Sequence, residues 1–258
     1  MSGLGTVTIA RAPVGAFSTR RPLRPVIVGV AASVLLAGCT QPPAMVRTQS
    51  RSIEFVQARP GGEGLMFNLP SGYRKVRTGQ HPGGMPFQTY LPAGEPDTSR
   101  RLFLEVTVMP GAALSAKGVA TPEQYLMLTA MAMRDSACPN TFGVSVQGPI
   151  RSALGPRHGP APAPNAPDFA AILGCGRTPG GYSEVSLMAG FRNGGDLFLL
   201  SWVERGTPHD GGAVTIDEGQ WLSRLRELQP LRLCAAAPGG SGPSPDCVMD
   251  VIDSLPDR

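Results

Sequence analysis

Histidine, lysine and charge in general are scarce in this chain. Of 258 residues, 16% are charged and three are His. Lysine occurs twice, at Lys75 and Lys117, so arginine supplies nearly all the positive charge. Scarce histidine removes the commonest general base and metal ligand. The three present, His81, His158 and His209, are scattered and sit in turn-like contexts such as His81-Pro82-Gly83-Gly84 and Pro208-His209-Asp210-Gly211. A base must be held close to the proton it takes, and loops hold side chains badly. The chain has no G-x-S-x-G, S-x-x-K, H-E-x-x-H or Walker A motif, and no G-x-G-x-x-G between a strand and a helix. Those motifs place nucleophiles, metals and phosphates, so no catalytic constellation and no cofactor are expected. A C-x-x-C pair is also missing, which disfavours zinc.

The fourth shortage is local. Residues 1–38 contain Arg11, Arg20, Arg21 and Arg24 but no acidic residue. The formal net charge of +4 comes wholly from these four arginines, since 23 basic residues less four equals the 19 acidic ones. Residues 39–258 are neutral overall and carry no basic stripe to displace counterions from a phosphate backbone. Nucleic acid is therefore excluded as a partner.

The same N-terminus has three zones: an Arg-bearing stretch ending at Arg24, an apolar run over 25–36, and Leu36-Ala37-Gly38-Cys39. This is the layout of a secretory signal, and the apolar run is shorter than the roughly 20 residues that span a bilayer. Leu36-Ala37-Gly38-Cys39 resembles the lipobox of bacterial lipoproteins. The resemblance implies a diacylglycerol on Cys39, cleavage before it and acylation of the new amine. Several acyl chains hold a membrane far more firmly than one. Residue 40 is Thr, not Asp, which by analogy with Gram-negative sorting points to the periplasmic face of the outer membrane. The expected layout is a signal peptide over 1–38, a tether over 39–51 with Pro42-Pro43, a folded domain over 52–234 and a Gly/Pro-rich tail over 235–258. The Arg-bearing stretch is long for a signal, so translation could begin further downstream.

Four further cysteines remain: Cys138, Cys175, Cys234 and Cys247. An even number in an exported chain reads as two disulfides, with three pairings open. The preferred pairing is Cys138–Cys175 and Cys234–Cys247, worth ~4 and ~3 kcal/mol in the chain-entropy model.

Alternating or apolar runs predict strands at Ser52–Val56, Gly64–Leu69, Pro86–Leu91 and Arg101–Met109. More follow at Phe142–Gln147, Phe169–Cys175, Tyr182–Met188, Asp196–Val203 and Leu231–Cys234. In the fourth, Leu102, Leu104, Val106 and Val108 alternate with Arg101, Phe103, Glu105 and Thr107, as in a sheet with one covered face. Thr121-Pro122-Glu123-Gln124 predicts a helix start with a capping box and runs to about Ser136. Thr215-Ile216-Asp217-Glu218 predicts a second, with Trp221, Leu222, Leu225 and Leu228 on one stripe and Pro230 at its end. Asn193-Gly194 suits a hairpin turn, and 155–167, rich in Pro and Ala, a surface loop. The expected fold class is α+β: an antiparallel sheet with two helices packed on it.

This element order, with a Leu69-Pro70-x-Gly72-Tyr73 corner and a late Trp helix, is similar to the PsbP/Mog1-like fold over 52–234. The resemblance implies an accessory or assembly factor rather than an enzyme, and it transfers no catalytic residue.

The most unusual segment is Tyr125-Leu126-Met127-Leu128-Thr129-Ala130-Met131-Ala132-Met133, apolar nearly all round a helix. Either loops or the tether cover its outer side, or Tyr125, Met127, Met131 and Met133 form an adaptable face for a partner or apolar ligand. Copper capture by Met127, Met131 and Met133 is disfavoured because the three do not share one face. Trp202 and Trp221 read as core, and Leu69–Tyr73 as a structural turn. The leading functional expectation is a membrane-anchored envelope lipoprotein with a non-enzymatic binding or scaffold domain, whose partner is another envelope protein. Two rivals are a small-ligand binder with an apolar pocket and a hydrolase. The hydrolase would use His209–Asp210 with Ser136 or Ser201, or a carboxylate pair of Asp135 and Glu105.

Overall fold

The computed structural model describes residues 52–150, 168–192, 195–240 and 242–248. The signal segment, Cys39, the tether, His158 with its Pro-rich loop, Asn193-Gly194 and residues 249–258 lie outside the described residues. The described residues all belong to one compact unit.

Two antiparallel sheets make up most of this unit. The smaller has the order β1 (Ser52–Gln57), β2 (Gly64–Leu69), β10 (Arg232–Cys234). The larger has seven strands in the order β3 (Tyr73–His81), β4 (Met85–Pro92), β5 (Leu102–Met109), β9 (Leu197–Gly206), β8 (Ser183–Arg192), β7 (Asp168–Cys175), β6 (Phe142–Gly148). Each neighbouring pair is antiparallel. The α+β class and the antiparallel sheet are as the sequence predicts. A second sheet was not expected: β2 reads as one more apolar strand, and only pairing with β1 and β10 sets it apart.

Both faces of the large sheet are buried, not one. On the first face, Leu104 and Val106 of β5, Leu187 and Ala189 of β8, and Leu200 and Trp202 of β9 form one core with Leu65 and Phe67 of β2. The same core takes in Trp221, Leu225 and Leu228 of helix α3 (Glu218–Glu227) and its C-terminal cap. The stripe predicted for this helix is the buried one. Its cap is not Thr215, however, but Asp217, whose Oδ1 accepts from Gln220 N at 3.0 Å. Asp at this position satisfies an orphan N–H and favours the positive end of the helix, so the start moves two residues on. At the other end, Asn68 ties β2 to α3. Its N–H donates to Leu228 O at 2.9 Å and its Nδ2 to Glu227 O at 2.7 Å. Two carbonyls that the helix leaves unpaired are satisfied in this way.

On the second face, Met188 of β8, Leu197 and Leu199 of β9, and Phe169, Ala171 and Leu173 of β7 pack under the short helix α1 (Gly111–Ser115) and helix α2 (Pro122–Ala132). The two long helices therefore lie on opposite faces of the large sheet, and α3 shares its face with the small sheet. Helix α1 has one buried side chain, Leu114, and no side-chain cap, too little signal to predict from sequence.

The strand that sequence reasoning missed is β3. Its residues Arg74, Lys75, Arg77, Thr78 and Gln80 are exposed, and its register shifts between Lys75 and Arg77. Charges and a bulge are how an edge strand resists pairing, and they also erase the apolar alternation that identifies strands.

Both disulfides join the pairs preferred from sequence. Cys138 and Cys175 have Cα atoms 5.6 Å apart, and Cys234 and Cys247 5.9 Å. The turn at Pro70–Gly72 holds Tyr73 N against Pro70 O at 3.0 Å and sends the Tyr73 ring edge-on against Trp202, 5.5 Å between centroids. Trp202 and Trp221 are both buried. Burial is the main cause that pushes the Tyr73 phenol up to about 12. A raised folded-state pKa favours the neutral phenol, so this contribution is complete below the unfolded value near ~10 and is lost as pH rises through about 12. Denaturation midpoints measured between these limits should fall with pH, and Tyr73→Phe should flatten that fall. An unchanged slope in the variant would contradict the assignment.

Candidate functional site: the outer side of helix α2 and strand β6

Helix α2 begins where the sequence says it should. Thr121 Oγ1 accepts from Gln124 N at 3.2 Å, and Gln124 Oε1 accepts from Thr121 N at 3.3 Å and Ala120 N at 2.7 Å. Pro122 at the first position packs against β8 at Gly190, where a Cβ would meet the Pro122 ring at 3.0 Å. The α-helix stops at Ala132, earlier than predicted, and passes into a π-turn over Met133–Ala137. Cys138 follows and is fixed to β7 through Cys175. The helix is thus held at both ends.

Pro122, Leu126 and Ala130 are the side chains it buries, each four residues from the next on one stripe. Tyr125 and Met133 are half-buried against the same core. Met127, Leu128 and Met131 point away and are 37%, 50% and 48% exposed. Of the four residues proposed from sequence as a partner face, Met127 and Met131 are on the outside and Tyr125 and Met133 are not. Leu128 was missed, although the same all-round apolar pattern contained it. The exposed apolar band is framed by Glu123 and Gln124 on one side and by the Arg134–Asp135 ion pair at 2.7 Å on the other.

The band continues on the sheet. In β6, Val144 lies opposite Leu173 and Val146 opposite Ala171, both of them buried beneath α2. Directly opposed residues of an antiparallel pair share a face. Val144 and Val146 therefore extend the floor of the α2 core one strand outward, where they are 45% and 51% exposed. Strand β6 is an edge of the large sheet among the described residues. Its sequence, Phe142-Gly143-Val144-Ser145-Val146-Gln147-Gly148, contains no charge. Behind it, on the first face, residue Val214 packs into the space left by Gly143 and Gly174; a Cβ on Gly174 would sit 2.1 Å from Val214 Cγ1. That contact supports β6 from one side and leaves Val144 and Val146 on the other.

Of the residues weighed for hydrolysis, Asp210, Asp135 and Glu105 are engaged elsewhere. Arg177 clasps both Asp210 oxygens, with Nη2 to Oδ2 at 2.8 Å, so Asp210 is not orienting His209. Side-chain hydrogen bonding to that guanidinium holds the Asp210 carboxyl below the usual carboxylate range. Asp135 pairs with Arg134 and does not join Glu105. Glu105 instead accepts from Thr89 Oγ1 at 2.9 Å and lies 3.0 Å from His81 Nε2, with His81 stacked on Phe87. Glu105 sits opposite Ser201 in the β5–β9 register. The His81–Glu105 contact, 24 residues apart in the chain, carries no sequence signal because β3 itself was missed. Among the described residues no three His, Cys, Asp or Glu side chains come together as metal ligands would. Among the same residues no helix is long and apolar enough to cross a membrane.

Compared with known proteins, the chain matches no protein-family model and no curated sequence.

The anchoring of α2 is testable by unfolding measurements. Leu126→Ala should cost about 2–5 kcal/mol, the range for a buried leucine, whereas Leu128→Ala should change stability by no more than about 0.5 kcal/mol. Comparable losses in both variants would mean that the helix is covered on its outer side.

Proposed function

We propose that this chain is a membrane-anchored envelope lipoprotein whose domain acts by binding, and that the outer side of α2 is where another envelope protein docks. The exposed apolar band of Met127, Leu128 and Met131, on a helix pinned at both ends, is the observation that carries the binding role. Unbranched, polarizable methionines adapt to the shape of a partner, and a polar frame around an apolar centre is the usual composition of a protein interface. The address rests on Leu36-Ala37-Gly38-Cys39 with the apolar run before it. The two disulfides are consistent with an oxidising compartment such as the periplasm. In this reading Cys39 carries the lipid, 39–51 is the tether, and the protein sits on the periplasmic face of the outer membrane. The order of strands and helices, the Pro70–Gly72 corner and the buried Trp221 helix support kinship with PsbP/Mog1-like accessory proteins.

Intact-mass measurement of protein extracted from membranes tests the anchor. The expected species begins at Cys39, carries acyl chains and has its other cysteines oxidised, and Cys39→Ser should yield an unprocessed or released form. A full-length start without acyl groups would refute the lipoprotein reading. For docking, photo-crosslinking from position 131 in intact cells should capture a discrete envelope protein. Met127→Glu should lower that capture by roughly tenfold or more, because burying an unpaired charge is costly. Equal capture by wild type and variant would remove α2 from the interface.

A further inference from the structure

We infer that strand β6 pairs edge to edge with β6 of a second copy, in the register that places Val144 on the two-fold axis. This rests on the reading of α2 as a docking surface and extends it to the neighbouring sheet edge, whose occupant is a copy of the chain itself.

An edge strand presents a row of unpaired N–H and C=O groups, and the partner that satisfies such a row is another extended strand. The two edges of the large sheet differ in how they meet this. β3 carries Arg74, Lys75 and Arg77 and a register shift in its middle. β6 carries no charge, and its exposed Val144 and Val146 alternate with Ser145. Among the described residues one edge is protected by charge along its length and the other is not.

The choice of a second copy comes from register. An isologous contact must be self-complementary. The β6 ladder is regular from Phe142 to Val146 and shifts between Val146 and Gly148. The centre of the regular stretch is Val144. Antiparallel pairing about that centre sets Phe142 opposite Val146 of the second copy, Val144 opposite Val144, and Val146 opposite Phe142. Three apolar pairs then line the α2 side. On the other side Gly143 faces Ser145, a small residue against a small one. This leaves room for the hydrogen bond from Ser145 Oγ to Glu218 at 2.5 Å and keeps the two Glu218 carboxylates off the axis. Pairing centred on Ser145 would instead bring those carboxylates together and set Phe142 opposite Gly148. The charge and the bulge therefore select the Val144 register.

The test uses the mature lipoprotein purified from membranes in detergent, with protein mass read by light scattering after subtraction of detergent. Wild type should have twice the monomer mass. Val144→Lys places two like charges directly opposite each other and should halve the mass, while Thr78→Lys on the other edge should leave it doubled. Val144→Cys keeps the strand apolar and answers the case in which the lysine variant fails to fold. Two cysteines opposite each other lie within disulfide reach, so oxidation in membranes should give a covalent dimer, and Thr78→Cys should not. A monomeric wild type, a dimer that survives Val144→Lys, or a Val144→Cys variant that crosslinks only to a different protein would each overturn the pairing. Lipid mass is read separately, so failure of the dimer and failure of the anchor give different results.

Discussion

The large sheet is apolar on both faces across β8 and β9, and an apolar face in water has to be covered. The first face has ample cover, because α3 and the small sheet supply Trp221, Leu225, Leu65 and Phe67 to one core. The second face has mainly α2, eleven residues long, with the shorter α1 beside it. A helix of that length buries one stripe, here Pro122, Leu126 and Ala130, and cannot reach the edge strand as well. Its outer side and the neighbouring valines of β6 remain open. The exposed apolar band is thus a consequence of a two-sided sheet with one narrow lid.

That constraint explains why composition misleads for α2. An apolar residue at almost every position would ordinarily mean burial all round. Here the Cys138–Cys175 link and the Thr121 cap fix the helix without using its outer face. Met127, Leu128 and Met131 keep a large part of their surface in water, and contiguous apolar side chains at such positions call for an explanation other than the core.

Much of this was legible in the residues because the signals were local. The capping box at Thr121, the Trp221–Leu225–Leu228 stripe and the alternation of β5 each follow from spacing along a single element. The number of disulfides came from the even cysteine count, and the pairing was one preference among three. Features that depend on tertiary pairing were not legible. β3 was lost because an edge strand suppresses the apolar pattern, and with it went the His81–Glu105 contact. The second sheet was invisible because an apolar run such as β2 reads the same whichever strands it joins. The cap of α3 was misplaced because Thr215 and Asp217 are both good caps, and only the backbone geometry chooses Asp217.

Helix α2 is buried on one stripe and exposed on the other. Methionines report this directly, since their oxidation by dilute peroxide follows exposure. The folded domain, diluted until it is monomeric, should oxidise at Met127 and Met131 well before Met66, Met109 and Met188, which are buried in the cores. Peptide mass spectrometry over a time course gives each rate. Fast oxidation at the first pair and protection of the other three is the expected result. Protection of Met127 and Met131 to the level of Met66 in the isolated domain would mean that the outer side of α2 is covered.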